Sequence, residues 1–229
     1  MRVYLKSFAK SMPMIQETLT PSAARRYYDF IGARYDWFGF YEARAKLRAL
    51  DLLDLTPGQC ILNVGLGTGM ESLAIQEKTN PDGTVFGIDL SFAMLQVAHQ
   101  RRLEALCQAD VRWLPFANQI FDRLLATYVL DLIPACDLAD ILINFHRLLK
   151  PGGRLVLLSL TDGINTASRA FVRLWKWVYA LNPIACGGCR PLELACMVEQ
   201  AGFTVIHREV IVQWGVPSEV VAAVPIGAT

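Results

Sequence analysis

Asn63-Val-Gly65-Leu-Gly67-Thr-Gly69 places three glycines at alternate positions directly after a short apolar run at 60–64. Without side chains, those positions let a ligand approach the backbone closely, so a loop of this kind between a strand and a helix can cradle a nucleotide-like cofactor. Twenty residues after Gly69, Asp89 ends a second apolar run at 84–88. A carboxylate at the tip of that strand can accept hydrogen bonds from both hydroxyls of a ribose. Dinucleotide enzymes follow G-x-G-x-x-G/A, in which the last small residue permits tight helix packing around a pyrophosphate. That position is Met70, which makes a nicotinamide oxidoreductase a distant reading.

The elements that must hold these residues follow from apolar periodicity and breakers. Between residues 60 and 160 strands and helices alternate, the pattern of a parallel sheet with crossover helices. Strands are expected at 60–64, 84–88, 104–108, 123–127 and 154–159. Ahead of them, a helix at 22–31 follows Pro21, and an amphipathic helix at 41–53 is stopped by Thr56-Pro57-Gly58. Beyond the fifth strand come a long helix at 163–182, a shorter one at 191–201 ending at Gly202, and strand-like runs at 203–212 and 218–224. The few residues at 213–217 are too short for a parallel crossover, so the last two strands form an antiparallel hairpin. The fold class is α/β, a doubly wound mixed sheet in a single domain over 1–229, with a helical cap at 1–55 and a lid-like helical insertion at 163–190.

Taken together, the motifs resemble those of class I S-adenosylmethionine-dependent methyltransferases, whose cofactor carries an adenosine and a methionine but no phosphate. Besides the glycine loop, Gly87-Ile-Asp89-Leu90-Ser-Phe-Ala-Met94 resembles the family's second motif, and Asp110-Val111-Arg-Trp-Leu114-Pro115-Phe116 the segment that reads the adenine. Phe121-Asp122 before the fourth strand and Leu148-Leu-Lys150-Pro-Gly-Gly153 before the fifth complete the set. The resemblance runs from about residue 24 to the C-terminus and is greatest to the ubiquinone/menaquinone-type C-methyltransferases and phospholipid N-methyltransferases. It implies a Rossmann-like seven-stranded sheet in the order 3-2-1-4-5-7-6. It also implies that Gly65, Leu66, Gly67, Thr68 and Gly69 cradle the methionine end of S-adenosylmethionine, with Thr127 beside them. Asp89, Leu90 and Met94 would hold the ribose side, and Asp110 with Val111 the adenine. Of the pairs Tyr28-Asp29 and Tyr35-Asp36, Tyr35 is the expected cofactor contact, while the aromatic run from Tyr27 to Tyr41 mostly staples the cap to the sheet. The sequence departs from the family at Asn63, where an acid usually helps hold the loop and the methionine ammonium. A neutral partner there contributes about 1 kcal/mol less than a charged one.

Methyl transfer is an in-line displacement that yields S-adenosylhomocysteine, so alignment and water exclusion matter more than a base. Asp131, in the segment after the fourth strand, is the candidate to take a proton or orient the acceptor. The bland reading makes it a helix cap beside Pro134. His99, His146 and His207 form no spacing that marks a nucleophile. Cys186-Gly-Gly-Cys189 with Cys196 and His207 lacks a second close ligand pair, so no metal is expected. On a helical projection of 164–182, Arg169, Arg173 and Lys176 share one face, opposite Phe171, Leu174, Trp175, Val178 and Leu181. That helix is expected to cover a lipophilic acceptor pocket, to pack on the domain, or to lie on a membrane.

Of 229 residues, 53% are hydrophobic and 19% charged, which excludes a disordered chain. A net charge of +1 offers no field for nucleic acid. Charges interrupt every apolar run before the roughly 18 residues a membrane span needs, leaving peripheral contact open. Residues 1–6 lack the apolar stretch and cleavage site of a signal peptide, which points to cytoplasmic residence. The partner expected is a small, lipophilic or aromatic methyl acceptor. The rival reading is a non-catalytic or repurposed S-adenosylmethionine-binding protein.

Overall fold

Short runs of buried apolar residues pair into one seven-stranded sheet in the order β3-β2-β1-β4-β5-β7-β6. The computed structural model describes residues 18–227, with the backbone alone at Phe38; the cap expected from residue 1 is therefore described only from residue 18, and the reading of 1–6 lies outside. The strands are β1 (Cys60–Val64), β2 (Thr84–Asp89), β3 (Leu106–Gln108), β4 (Phe121–Thr127), β5 (Leu149–Leu160), β6 (Phe203–Gln213) and β7 (Val216–Pro225). The first five run parallel, and β7 lies antiparallel between β5 and β6. Strand order reverses at β1 and β4, which is where doubly wound sheets open a crevice at the carboxyl ends of their strands.

Eight α-helices are described: α1 (Pro21–Ile31), α2 (Tyr35–Phe38), α3 (Ala43–Leu52), α4 (Met70–Thr79), α5 (Phe92–Gln100), α6 (Ala135–Leu148), α7 (Thr166–Leu181) and α8 (Leu194–Gln200). Side chains alternate across the strands, and the alternation sorts them into two cores. Ile61, Leu125, Val156, Leu158 and Val220 pack with Ala45 and Ala49 of α3 and Ile75 of α4. Leu62, Leu124, Leu155, Leu157 and Val221 face the other way, against Leu138, Ile141 and Phe145 of α6 and Leu194 and Val198 of α8. Fully burying each such side chain contributes about 1.5–3 kcal/mol, and burial on both faces is why the strands read as unbroken apolar runs.

Several boundaries move from their expected places for local reasons. Thr20 caps α1, its hydroxyl accepting from Ala23 N–H with Pro21 in the first turn. Asn165 and Ser168 form a reciprocal cap, so α7 starts at Thr166. The third strand shortens to Leu106–Gln108 because the Leu106 N–H turns back to the Glu104 carbonyl. The hairpin turn is only Trp214-Gly215, with φ of 53° and 85°, the geometry of a two-residue turn matched to strand twist. Pro217, read as a turn residue, lies within β7 beyond the last pair that β7 makes with β5, Leu160 with Ser218. Its missing N–H therefore costs no bond on that side.

Candidate active site

At the carboxyl ends of β1, β2 and β4 lies a cavity of about 440 Å³. Among the residues expected to hold a cofactor, Tyr35, Gly65, Leu66, Gly67, Thr68, Asp89, Leu90, Met94, Asp110, Val111 and Thr127 all line it. Asn63, Gly69 and Asp131 are not in the lining.

The glycine loop is shaped by what stands behind it. A Cβ on Gly65, whose φ is +62°, would fall 2.2 Å from Cγ2 of Val129, so the turn after β1 closes only around a glycine. A Cβ on Gly67, at φ +56°, would meet nothing within 4 Å, which leaves room over this loop backbone for a ligand. Gly69 instead precedes α4 and packs against Ala98 and Leu103. Asn63 is buried beneath the loop, donating from Nδ2 to Ser72 Oγ at 2.8 Å, while its Oδ1 has no partner among the described residues.

Two acids, Asp89 and Asp110, stand on the wall beyond the glycine loop. Asp89 accepts the Gly67 N–H on Oδ2 at 2.9 Å and the Ser91 N–H on Oδ1 at 2.8 Å, tying the loops after β1 and β2 together. Burial pushes its pKa up to about 6 against the pull of those N–H groups. Asp110 accepts from Arg112 Nε at 2.9 Å, and that guanidinium holds its carboxyl below the usual range. Between them, Leu90, Met94, Ala109 and Val111 form an apolar slot. Arg101, the cation nearest the glycine loop, is spent on the Thr68 carbonyl and on Asp36. A phosphate-free adenosine fits this wall: carboxylates for hydroxyl and amino groups, an apolar slot for the base, and, among the described residues, lining cations already paired, Arg25 with Asp29 and Arg112 with Asp110.

The opposite wall comes from the cap. Tyr28, Tyr35, Gly39, Phe40, Ala43 and Lys46 line it, joined by Glu71 from α4 and Tyr128 after β4. Lys46 Nζ lies 3.1 Å from both Glu42 Oε2 and Glu71 Oε1, and 5.4 and 5.9 Å from the ring centres of Tyr35 and Tyr128. Burial works against the ammonium, but Glu71 and Glu42 outweigh it and hold the pKa above its ordinary value. Asp36 straps the cap to the loop, accepting from Thr68 Oγ1 at 2.5 Å and pairing with Arg101. Tyr128 adopts a left-handed φ of 53°, held by its N–H on the Leu158 carbonyl and by its hydroxyl against Ser218 Oγ. Lys46, Glu71 and Tyr128 carry no role in the sequence reading, and Asp36 enters it only as the partner of Tyr35. The available signals were the Tyr35-Asp36 pair, the i,i+4 spacing of Glu42 and Lys46, and the position of Tyr128 directly after a central strand.

Asp131 sits in a single helical turn, Leu130–Leu132, and is fully buried. It does not cap α6, which begins after Pro134 without a side-chain cap. Its Oδ2 takes the Leu160 N–H at 3.5 Å, its Oδ1 has no partner among the described residues, and burial pushes its pKa up to about 7. The helix expected over the acceptor pocket, α7, gives no residue to the lining. Instead it buries Val172 and Tyr179 and donates from Trp175 Nε1 to the Cys189 carbonyl at 2.8 Å. Cys186 and Cys189 bracket a turn whose Gly187 carbonyl accepts from the Tyr28 hydroxyl at 3.1 Å, and Cys196 is exposed on α8. No group of three or more potential metal ligands occurs among the described residues. No helix is long and apolar enough to cross a membrane among them.

A reversing α/β sheet with a glycine loop, a strand-end acid and an apolar slot is the architecture of the Rossmann-like class. A methyltransferase domain family matches residues 61–153. A malonyl-[acyl-carrier protein] O-methyltransferase of Herminiimonas arsenicoxydans is 35% identical over 57% of this chain and 48% of its own length. A 2-phytyl-1,4-naphtoquinone methyltransferase of Thermosynechococcus vestitus is 30% identical over 69% of this chain and 78% of its own. The [4+2]-cyclase SpnF shares the fold, with a TM-score of 0.70 at 16% identity over 92% of this chain and 98% of the other. The chain spans about half the length of the first curated relatives it matches. This chain belongs to the S-adenosylmethionine-dependent methyltransferases.

Proposed function

We propose that the chain transfers a methyl group from S-adenosylmethionine to a small, lipophilic or aromatic acceptor. The observation that carries this reading is the two-sided cavity, with carboxylates and an apolar base slot on one wall and Tyr28, Tyr35, Phe40 and Tyr128 on the other. S-adenosylmethionine supplies a methyl group on a positively charged sulfur. Gly65, Gly67, Thr68 and Thr127 would hold its methionine end, Asp89 with Leu90 and Met94 its ribose, and Asp110 with Val111 its base. The cap's aromatic rings orient a flat or apolar acceptor and exclude water from it. Asp131 is enclosed, so on the cap side of the cavity the carboxylate placed to take a released proton is Glu71, in the lining and held by Lys46. The relative named for a phytyl naphthoquinone supports an acceptor with an apolar tail.

The test is incubation with methyl-labelled S-adenosylmethionine and a panel of prenylated naphthohydroquinones, phenols and lipophilic amines. Labelled product with stoichiometric S-adenosylhomocysteine is expected. Tight binding of S-adenosylhomocysteine with no transfer to any class would favour the repurposed binding protein, a reading that gains weight from Asn63 and from the fold likeness to a cyclase. Absence of binding would remove both.

A further inference from the structure

The outer side of the cap carries a chemistry that the cavity does not use. Phe30 and Trp37 are 77% and 78% exposed, and Phe40, 63% exposed, stands at the mouth of the cavity that it also lines. Arg26, Arg34 and Arg44 are exposed on the same cap, and no carboxylate pairs with their side chains among the described residues. The cap's described acids are engaged with the body of the protein. Asp29 accepts from Ser91 Oγ and Ala93 N–H, Asp36 from Thr68 and Arg101, and Glu42 is buried beside Lys46. Apart from Asp51, which is exposed and 3.9 Å from Lys78 of α4, the cap turns its described anions inward and leaves Phe30, Trp37 and three uncompensated cations outward. A second copy of the chain is a poor occupant for that face, since a two-fold contact would set arginines against arginines. Helix α7 also exposes apolar residues, Leu174, Trp177 and Leu181, together with Arg169 and Arg173, which no carboxylate pairs among the described residues, but its Lys176 is paired with Asp162 and the helix does not reach the cavity, so docking there would not bring the mouth to the surface.

We infer that the outer face of the cap docks on a membrane surface containing anionic lipid. Phe30 and Trp37 enter the boundary between headgroups and acyl chains, where amphipathic aromatic rings are favoured. Arg26, Arg34 and Arg44 lie over the negative lipid charges, each raising partition roughly fivefold. Docking in this way sets the mouth at Phe40 beside the bilayer, so that a lipid-dissolved acceptor enters without crossing water.

The experiment uses the full chain with large vesicles of phosphatidylcholine, alone or with phosphatidylglycerol as the minor component, read by co-sedimentation and tryptophan fluorescence. Binding is expected only to the phosphatidylglycerol vesicles, weakened on the order of a hundredfold in the combined Arg26→Gln, Arg34→Gln, Arg44→Gln variant. The Phe30→Ser, Trp37→Ser variant is expected to lose it, while its S-adenosylhomocysteine affinity by calorimetry stays within about twofold, because neither residue lines the cavity. A Trp177→Ser, Leu181→Ser variant of α7 should bind vesicles like the parent. The inference is overturned if phosphatidylglycerol makes no difference, or if the α7 variant loses binding while both cap variants keep it. It is equally overturned if the parent is a dimer that Phe30→Ser, Trp37→Ser converts to monomers and neither form binds vesicles. None of these outcomes bears on methyl transfer itself, which the labelling experiment reads separately.

Discussion

The cap at 18–52 and the segment at 163–190 are both rich in aromatic residues, both flank the sheet, and both were expected to enclose an acceptor. Only the cap lines the cavity. An amphipathic pattern says that a helix has a face to bury, but the partner is chosen by connection geometry. Helix α7 leaves the end of β5 and must return through α8 to the β6–β7 hairpin, so its buried face settles near that side of the sheet, with Phe171 beside Gly215. The cap precedes β1 and is free to cross the crevice, where Asp36 and Asp29 fasten it to the loops after β1 and β2.

The sharpest way to break this contrast is Tyr179→Ala. Removing this fully buried ring from α7 should lower unfolding free energy by about 3–5 kcal/mol, with S-adenosylhomocysteine affinity unchanged when measured below the melting range. Affinity falling in step with stability would make α7 part of the site after all.

Asp131, between the two regions, gives a pH signature. In the unfolded chain it loses its proton near 3.8, whereas in the fold it keeps it to about 7. The folded state thus binds more protons within that window, so this group's contribution to stability falls as pH rises from about 4 to 7 and is flat above. Asp131→Asn removes the penalty: relative to the parent, denaturant unfolding should show a gain that is absent near pH 4 and grows to about 4 kcal/mol by pH 8. A gain independent of pH would mean that the carboxylate is ionised in the fold.

A smaller effect is expected from Asp36→Ala, which cuts the cap from the loop. Loss of charge-assisted bonds worth about 1.5–3 kcal/mol should weaken S-adenosylhomocysteine binding roughly tenfold to a hundredfold in calorimetry. Retained affinity would place the strap outside the site's energetics. The smallest is Leu174→Ser on the exposed face of α7, which should leave thermal stability within about 0.5 kcal/mol and turnover unaltered. A fall in turnover would restore the lid.

The strands were legible because residues such as Ile61, Leu62, Leu124 and Leu125 are buried on both faces and bracketed by breakers. Their order came through the family likeness of the glycine, Asp89 and Asp110 motifs rather than from periodicity. The glycine-loop wall of the cavity was legible for the same reason, since it consists of backbone turns and strand ends fixed by local sequence. The cap wall was not. Glu42 and Lys46 have the spacing of an ordinary solvent-facing helical pair, and only the arrival of Glu71 and the rings of Tyr35 and Tyr128 buries them. Asp131 offered the right chemistry at the right strand end, yet in the single turn Leu130–Leu132 its carboxylate is fully buried on the Leu160 N–H, and Leu132 joins the lining while Asp131 does not.

The strap from Asp36 to Thr68 and Arg101 joins the two walls by a single side chain. Free energy shared between two sites is reciprocal. Whatever fixes the glycine loop therefore also settles the cap, by the same amount as the cap in turn favours the occupied loop. A ligand on the glycine-loop wall and a ligand on the cap wall would each tighten the other's hold by the same factor.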